Sequence, residues 1–202
     1  TSHPINMDDE LIDLHSNNKK LMPFLHLPVQ SGSSKILKMM NRKYDVEFYR
    51  DIIFKIRDKS PNIEISSDFI IGYPGESEQD FIDTLDLIDD IKFTQSYSFI
   101  YSARPGTKSA MIEDNLTKKV KSERLKILQS KLTEIQHDFN KTHVGKKTSV
   151  LIENQSATNP EYYFGRTPYM QSVYIKSNNL INGEEKDIKI TSCNHKSLYG
   201  TC

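Results

Sequence analysis

The pattern of apolar and polar positions changes style near Gly145. Before that point, helix-spaced and strand-like segments take turns. Residues 8–16 read as a short helix, and 24–29 as a strand running into Gln30-Ser31-Gly32-Ser33. A helix follows over 34–40. Asp45 is placed to cap the next one, where Tyr49, Ile52, Ile53 and Ile56 recur at steps that put them on one face. Pro61 follows its end. Residues 63–71 form a β-branched run broken by Gly72. Ser77, with Asp80 three positions on, resembles a capping box, and Phe81, Thr84, Leu85, Ile88 and Ile91 make the buried stripe of the helix behind it. Residues 96–101 read as the next strand. Thr117 caps a long helix striped by Leu125, Leu128, Leu132, Ile135 and Phe139.

The order β-α-β-α-β implies parallel strands joined by crossover helices. Folds of that kind bind ligands where strands end and the next loops begin. Three such loops carry polar groups and glycine: residues 26–33, 68–76 and 101–107. From Lys146 onward the pattern is all-β. Residues 148–153, 163–175 and 187–191 alternate, with Gly183, Asn194 and Gly200 as turn signals. Short strands in so small a segment predict a closed barrel, because closure removes exposed edges. The expected division is 1–143 for the α/β part and 144–202 for the barrel.

Hydrophobic residues make up 36% of the 202, enough for packed cores. No apolar run approaches the ~18 residues of a membrane span, and the polar start Thr1-Ser2-His3-Pro4 is no signal peptide, so no membrane partner and a cytoplasmic location are expected. The sequence also begins without Met, which suggests a piece of something longer. Net charge is zero, against a protein coated in charge for nucleic acid, yet the distribution is uneven. Seven acids and no Lys or Arg fall between Glu76 and Asp90, whereas nine Lys/Arg face three acids between Thr117 and Lys147. A basic stretch leading into a small β-rich domain is a candidate for RNA. The two cysteines, Cys193 and Cys202, match neither a CxxC site nor a disulfide framework and read as ordinary thiols.

The residues alone leave the chemistry open. Gly72-Tyr73-Pro74-Gly75-Glu76 is neither a Walker loop nor a dinucleotide fingerprint, and it serves a ligand or simply a turn. Asp68, inside an apolar run, is either a hydrogen-bonded core group or a ligand contact. Gln30 and Ser31 could meet a ribose or carboxylate, or cap the helix after them. Arg42 and Arg104 could face an anion. His3 and His26 have no second ligand at metal spacing and read as satisfied core or loop residues. A (β/α) enzyme with a phosphate ligand, or an RNA-binding module without catalysis, both remain compatible with this reading.

Four segments go further by resemblance. Thr1-Ser2-His3-Pro4, His26-Leu27-Pro28-Val29-Gln30-Ser31-Gly32-Ser33, Ser66-Ser67-Asp68-Phe69-Ile70-Ile71-Gly72-Tyr73-Pro74-Gly75-Glu76 and Ser98-Phe99-Ile100-Tyr101-Ser102-Ala103-Arg104-Pro105-Gly106-Thr107 are together similar to the radical-SAM methylthiotransferase family. The first and last look like the branch acting on N6-isopentenyladenosine in tRNA. The branch acting on threonylcarbamoyladenosine shares the His-Leu-Pro loop. The resemblance implies the later part of a radical-SAM partial (β/α) barrel with parallel strands, followed by a TRAM domain, a small OB-like barrel that grips RNA. It also implies S-adenosylmethionine, [4Fe-4S] clusters in the full-length protein, and tRNA as partner. Gln30, Ser31, Asp68 and Gly72 would line the S-adenosylmethionine side, with Arg42, Tyr101 and Arg104 near it or near substrate. Arg166 in Gly165-Arg166-Thr167 matches the TRAM pattern as an RNA contact. The family's CxxxCxxC cluster loop is absent from these residues, so no catalytic or metal-binding residue is assigned.

Overall fold

A computed structural model describes residues 3–157 and 159–202. They form two compact units, residues 3–21 with 25–132, and residues 22–24 with 133–157 and 159–202.

In the first unit, α1 (Asp9–Asn17) is capped by the Asp8 side chain. β1 (Phe24–His26), β2 (Glu64–Ile71) and β3 (Gln95–Ile100) form a three-stranded sheet with β2 in the middle. β2 and β3 are parallel, with Asp68 opposite Tyr97 and Ile71 opposite Ile100. The strand expected over 24–29 is shorter than its sequence pattern. Beyond His26 the chain leaves regular pairing and rejoins the sheet at a single parallel bridge from Gln30 to Phe69. At that bridge Gln30 adopts φ 78°, in the left-handed region.

α2 (Ser34–Met39) is capped by Ser33 rather than by Gln30 or Ser31, whereas α3 (Val46–Lys59) and α4 (Glu78–Ile91) start where their capping residues predict, at Asp45 and Ser77. Ile36, Tyr49, Ile53, Ile56, Ile65, Phe69, Ile71, Leu87, Ile88 and Phe93 are fully buried or nearly so. Leu85 is only half-buried, and Leu87 takes the core position instead. The Tyr49 hydroxyl donates to the Leu27 carbonyl at 2.7 Å, satisfying a polar atom at full burial.

The 31–33 loop is fastened to α4. The Gly32 amide donates to Thr84 Oγ1 at 3.0 Å, and a Cβ at Gly32 would stand 2.4 Å from the Thr84 Cα. Only glycine permits that approach. Asp80 completes the joint. It accepts hydrogen bonds from the Ser33 hydroxyl (2.6 Å), Lys35 Nζ (2.6 Å) and the amide and hydroxyl of Ser77 (2.7 and 2.6 Å). Burial pushes this carboxyl up, but the bonds from Lys35, Ser33 and Ser77 outweigh it and hold it well below the usual carboxylate range. A depressed folded pKa adds stability above the unfolded value of about 4 and loses it as pH falls toward the folded value. Asp80→Asn should therefore cost about 2 kcal/mol at neutral pH, with the deficit shrinking below about pH 4. Denaturant midpoints of both proteins across that range check it; a deficit independent of pH would contradict it.

α5 (Lys118–Lys141) runs through the division between the units. No helix among the described residues is long and apolar enough to cross a membrane.

In the second unit, β4 (Lys147–Gln155), β5 (Tyr162–Arg166), β6 (Ser172–Lys176), β7 (Glu185–Cys193) and β8 (Ser197–Thr201) close into a barrel of order β4-β5-β6-β8-β7. β6 and β8 are parallel and the other pairs antiparallel. Val150, Ile152, Tyr163, Val173, Ile175, Leu180, Ile188, Ile190 and Leu198 fill it. The sequence reading of Gly200 as a turn is corrected: it lies within β8, where a Cβ would meet Ile188 Cγ2 at 2.5 Å and the Lys189 carbonyl oxygen at 2.7 Å. The glycine lets two barrel strands approach closely. The end of α5 is tied in by buried amides: Asn140 Nδ2 donates to the Asn194 carbonyl at 3.0 Å and Gln171 Nε2 donates to Asn140 Oδ1 at 2.8 Å.

Candidate functional site

The strand-end loops of the first unit border a cleft of about 540 Å³. Gln30, Arg42, Tyr101 and Arg104 line it, together with Ile70, Phe99, Ser102, Thr107 and Ser109. Each predicted member arrives by a separate route. The Gln30 amide donates to the Asp68 carbonyl, and the Gln30 carbonyl accepts from the Ile70 amide, both at 2.9 Å. Arg42 follows α2, with its amide donating to the Leu37 carbonyl at 2.9 Å. Tyr101 continues past β3, its amide donating to the Ile71 carbonyl at 2.8 Å and its ring set edge-on to Tyr73 at 4.9 Å. Arg104 lies in a turn closed by the Thr107 hydroxyl, which donates to the Arg104 carbonyl at 2.8 Å.

The Tyr101 hydroxyl oxygen is buried and has no hydrogen-bond partner among the described residues. Buried hydroxyls are nearly always paired, and leaving one unpaired costs about 1–3 kcal/mol. Two arginines, a glutamine and a tyrosine border one cleft together with Ile70 and Phe99. That set suits a ligand with a flat part and an anionic group.

The other predicted residues lie elsewhere. Ser31 is buried, and its hydroxyl accepts from the Ser33 amide at 3.2 Å within the loop fastened to α4. Gly72 adopts φ 70°, its amide donates to Glu76 Oε2 at 3.0 Å, and a Cβ there would meet the Lys121 methylenes at 2.6 Å. Asp68 is half-buried rather than enclosed. Its carboxylate stands 3.7 Å from His26 Nε2, while His26 Nδ1 and the Ser66 hydroxyl are 2.8 Å apart. Sequence reasoning passed over this His26–Ser66–Asp68 cluster, although the alternation of His26 with buried Leu25 and Leu27 signals that it faces away from the helices. It also passed over Thr107 and Ser109, whose signal is the turn in Arg104-Pro105-Gly106.

In the barrel, Arg166 lies on the outer face of β5. Its guanidinium sits 5.1 Å from the Phe164 ring centre, donates to the Met170 carbonyl at 3.1 Å and stands 3.8 Å from Glu153. It is held in place yet about one-third exposed.

Comparison with known proteins agrees with this division of structure. The Radical SAM superfamily matches residues 1–88 and the TRAM domain matches residues 141–202. The tRNA-2-methylthio-N(6)-dimethylallyladenosine synthase of Rickettsia felis is 53% identical over 201 residues, covering 99% of this chain and 45% of the relative. The proteins of the same name from Rickettsia conorii and Rickettsia prowazekii are 52% and 51% identical over the same shares. The chain thus spans less than half the length of these relatives. Among solved structures, coproporphyrinogen III oxidase of Escherichia coli, a radical SAM enzyme, superposes with a TM-score of 0.55 at 16% identity, over 82% of this chain and 45% of that one. That likeness concerns the fold alone. The chain thus carries a segment similar to the Radical SAM superfamily followed by one similar to the TRAM domain, and along 201 residues it is similar to part of these synthases.

Proposed function

We propose that this chain is part of a cytoplasmic tRNA-modifying enzyme that methylthiolates C2 of N6-isopentenyladenosine beside the anticodon. The observation that carries the reading is identity above 50% along 201 residues with proteins named for that product. The proposed division of labour is 1–143 for the cofactor side and 144–202 for RNA.

When bound, S-adenosylmethionine would supply the radical chemistry and the methyl group. The lining of the cleft fits such a cofactor: Arg42 and Arg104 would hold its carboxylate, with Gln30 and Tyr101 beside its polar edges. Asp68 fixes Gln30 through its carbonyl, while Ser31 and Gly72 shape the loops behind. An iron–sulfur cluster does not fit these residues. Among the described residues no three His, Cys, Asp or Glu side chains are grouped to hold a metal, and Cys193 and Cys202 both lie in the barrel. Its ligands belong to other parts of the enzyme.

The TRAM barrel grips the RNA backbone, with Arg166 as the principal cation. Binding of an anticodon stem-loop should be weak and should weaken further with salt, because phosphate contacts release counterions. Arg166→Glu should reduce it about tenfold, by removing one cation and adding an anion. Fluorescence anisotropy at two salt concentrations tests this. Affinity indifferent to both salt and the substitution would defeat the assignment.

A further inference from the structure

Three barrel strands carry one aromatic side chain each at matched register. Phe164 on β5 pairs with Tyr174 on β6, and Tyr174 pairs with Tyr199 on β8. Their neighbours along the strands, Tyr163, Gly165, Val173, Ile175, Leu198 and Gly200, are buried, so the two-residue period puts the three rings on the outer face. Phe164 meets Tyr174 at 5.5 Å, and Tyr174 meets Tyr199 at 5.7 Å with the planes only 21° apart. The Arg166 guanidinium sits over Phe164 at one end of the row. At the other end Asn194 Nδ2 donates to the Tyr199 hydroxyl at 3.0 Å, and Asn194 Oδ1 accepts from the amides of Lys196 and Ser197 at 2.8 Å each. The turn thereby fixes the Tyr199 ring.

Beside the row lies a hollow of about 410 Å³, bordered by Tyr162, Tyr174, Asn194, Lys196, Ser197 and Tyr199 among others. Among the described residues no carboxylate borders it, and Lys196 is its one charged group. Cross-strand aromatic pairs stabilise any sheet, which accounts for the row. It does not account for a hollow that joins aromatic faces, hydroxyls and a single cation. That combination matches a flat heterocycle tethered to a phosphate.

We propose that this outer face is a nucleobase platform: one unpaired base of single-stranded RNA lies against Tyr174 and Tyr199, with Lys196 on a flanking phosphate. The proposal rests on the reading of the barrel as an RNA-binding module and adds what it recognises. Stacking tolerates any base, so the platform selects single strands over duplexes rather than one sequence over another.

The test compares two probes on the intact chain: a fluorescein-labelled single-stranded oligoadenylate, and the same backbone with abasic sites in place of bases. The oligoadenylate should bind about tenfold more tightly, as one stacked base warrants. Replacing both Tyr174 and Tyr199 by Leu should abolish that preference and leave the abasic affinity unchanged, whereas Phe at both positions should preserve it. Arg166→Glu should weaken both probes alike. Because the chain has no tryptophan, tyrosine emission gives a second readout that needs no variant to fold: oligoadenylate should quench it and the abasic probe should not. Equal affinity of the intact chain for both probes, or unquenched emission at saturation, overturns the platform and leaves RNA binding standing. Failure to bind either probe overturns the RNA reading and the platform with it.

Discussion

Supplied anaerobically with iron, sulfide and reductant, the 202-residue chain should form no 5′-deoxyadenosine from S-adenosylmethionine. Reductive cleavage needs an electron from an iron–sulfur cluster held by cysteine thiolates. Three thiolates in one loop are required, leaving one iron open for the cofactor. This sequence has two cysteines, one in β7 and one just after β8. His3 and His26 have no cysteine near them in sequence. The cleft residues should still bind the cofactor, but weakly. A reconstituted cluster of about four irons per chain, together with deoxyadenosine, would refute the expectation.

The largest stability effect should come from Arg124. Its guanidinium donates to Glu76 Oε1 and Glu78 Oε2, both at 2.7 Å, and lies 5.3 Å from the Phe81 ring centre. The side chains of Arg124 and Glu76 are 7% and 3% exposed, so this is a desolvated pair. Glu76 also accepts the Gly72 amide, which ties the pair to the loop after β2. Burial pushes the Glu76 carboxyl above its ordinary value, against the pull of Arg124 and Gly72. Removing one partner strands the other charge, so Arg124→Met should cost about 3–5 kcal/mol at neutral pH. With the guanidinium gone, the folded Glu76 pKa rises further above its unfolded value. A raised carboxyl favours the folded state at low pH and loses that as pH climbs through it, so the deficit should shrink in mild acid. Adding Glu76→Gln should recover much of the loss. Urea unfolding of the two single variants and the double variant measures the coupling. A loss below about 1 kcal/mol would mean the pair is solvated.

The elements were legible because their signals are local. Asp45 and Ser77 cap helices by bonding amides three residues away, and Tyr49, Ile53 and Ile56 share a face by helical geometry alone. The barrel was legible as a class, yet Gly200 looked like a turn because its reason lies across the sheet at Ile188 and Lys189. The cleft was half legible for the same reason. Gln30, Tyr101 and Arg104 border it because parallel strands deliver the loops after them to one side, and Arg42 joins them from the end of α2. Ser31 and Gly72 sit in equally polar loops, but their immediate surroundings are set by Ser33 and Thr84 in one case and by Glu76 and Lys121 in the other. A serine or glycine at a strand end serves a cap, a close contact or a ligand equally well. Only the distant neighbour decides, and no local pattern records it.

The most direct test of the family reading is chemical. A version extended to include the cysteine loop implied by the family resemblance would be reconstituted and given two anticodon hairpins. One carries N6-isopentenyladenosine and the other threonylcarbamoyladenosine, and the nucleosides are then read by mass spectrometry. The account predicts a 2-methylthio product from the first hairpin, dependent on S-adenosylmethionine. Modification of the second hairpin alone, or of neither while deoxyadenosine accumulates, would contradict it.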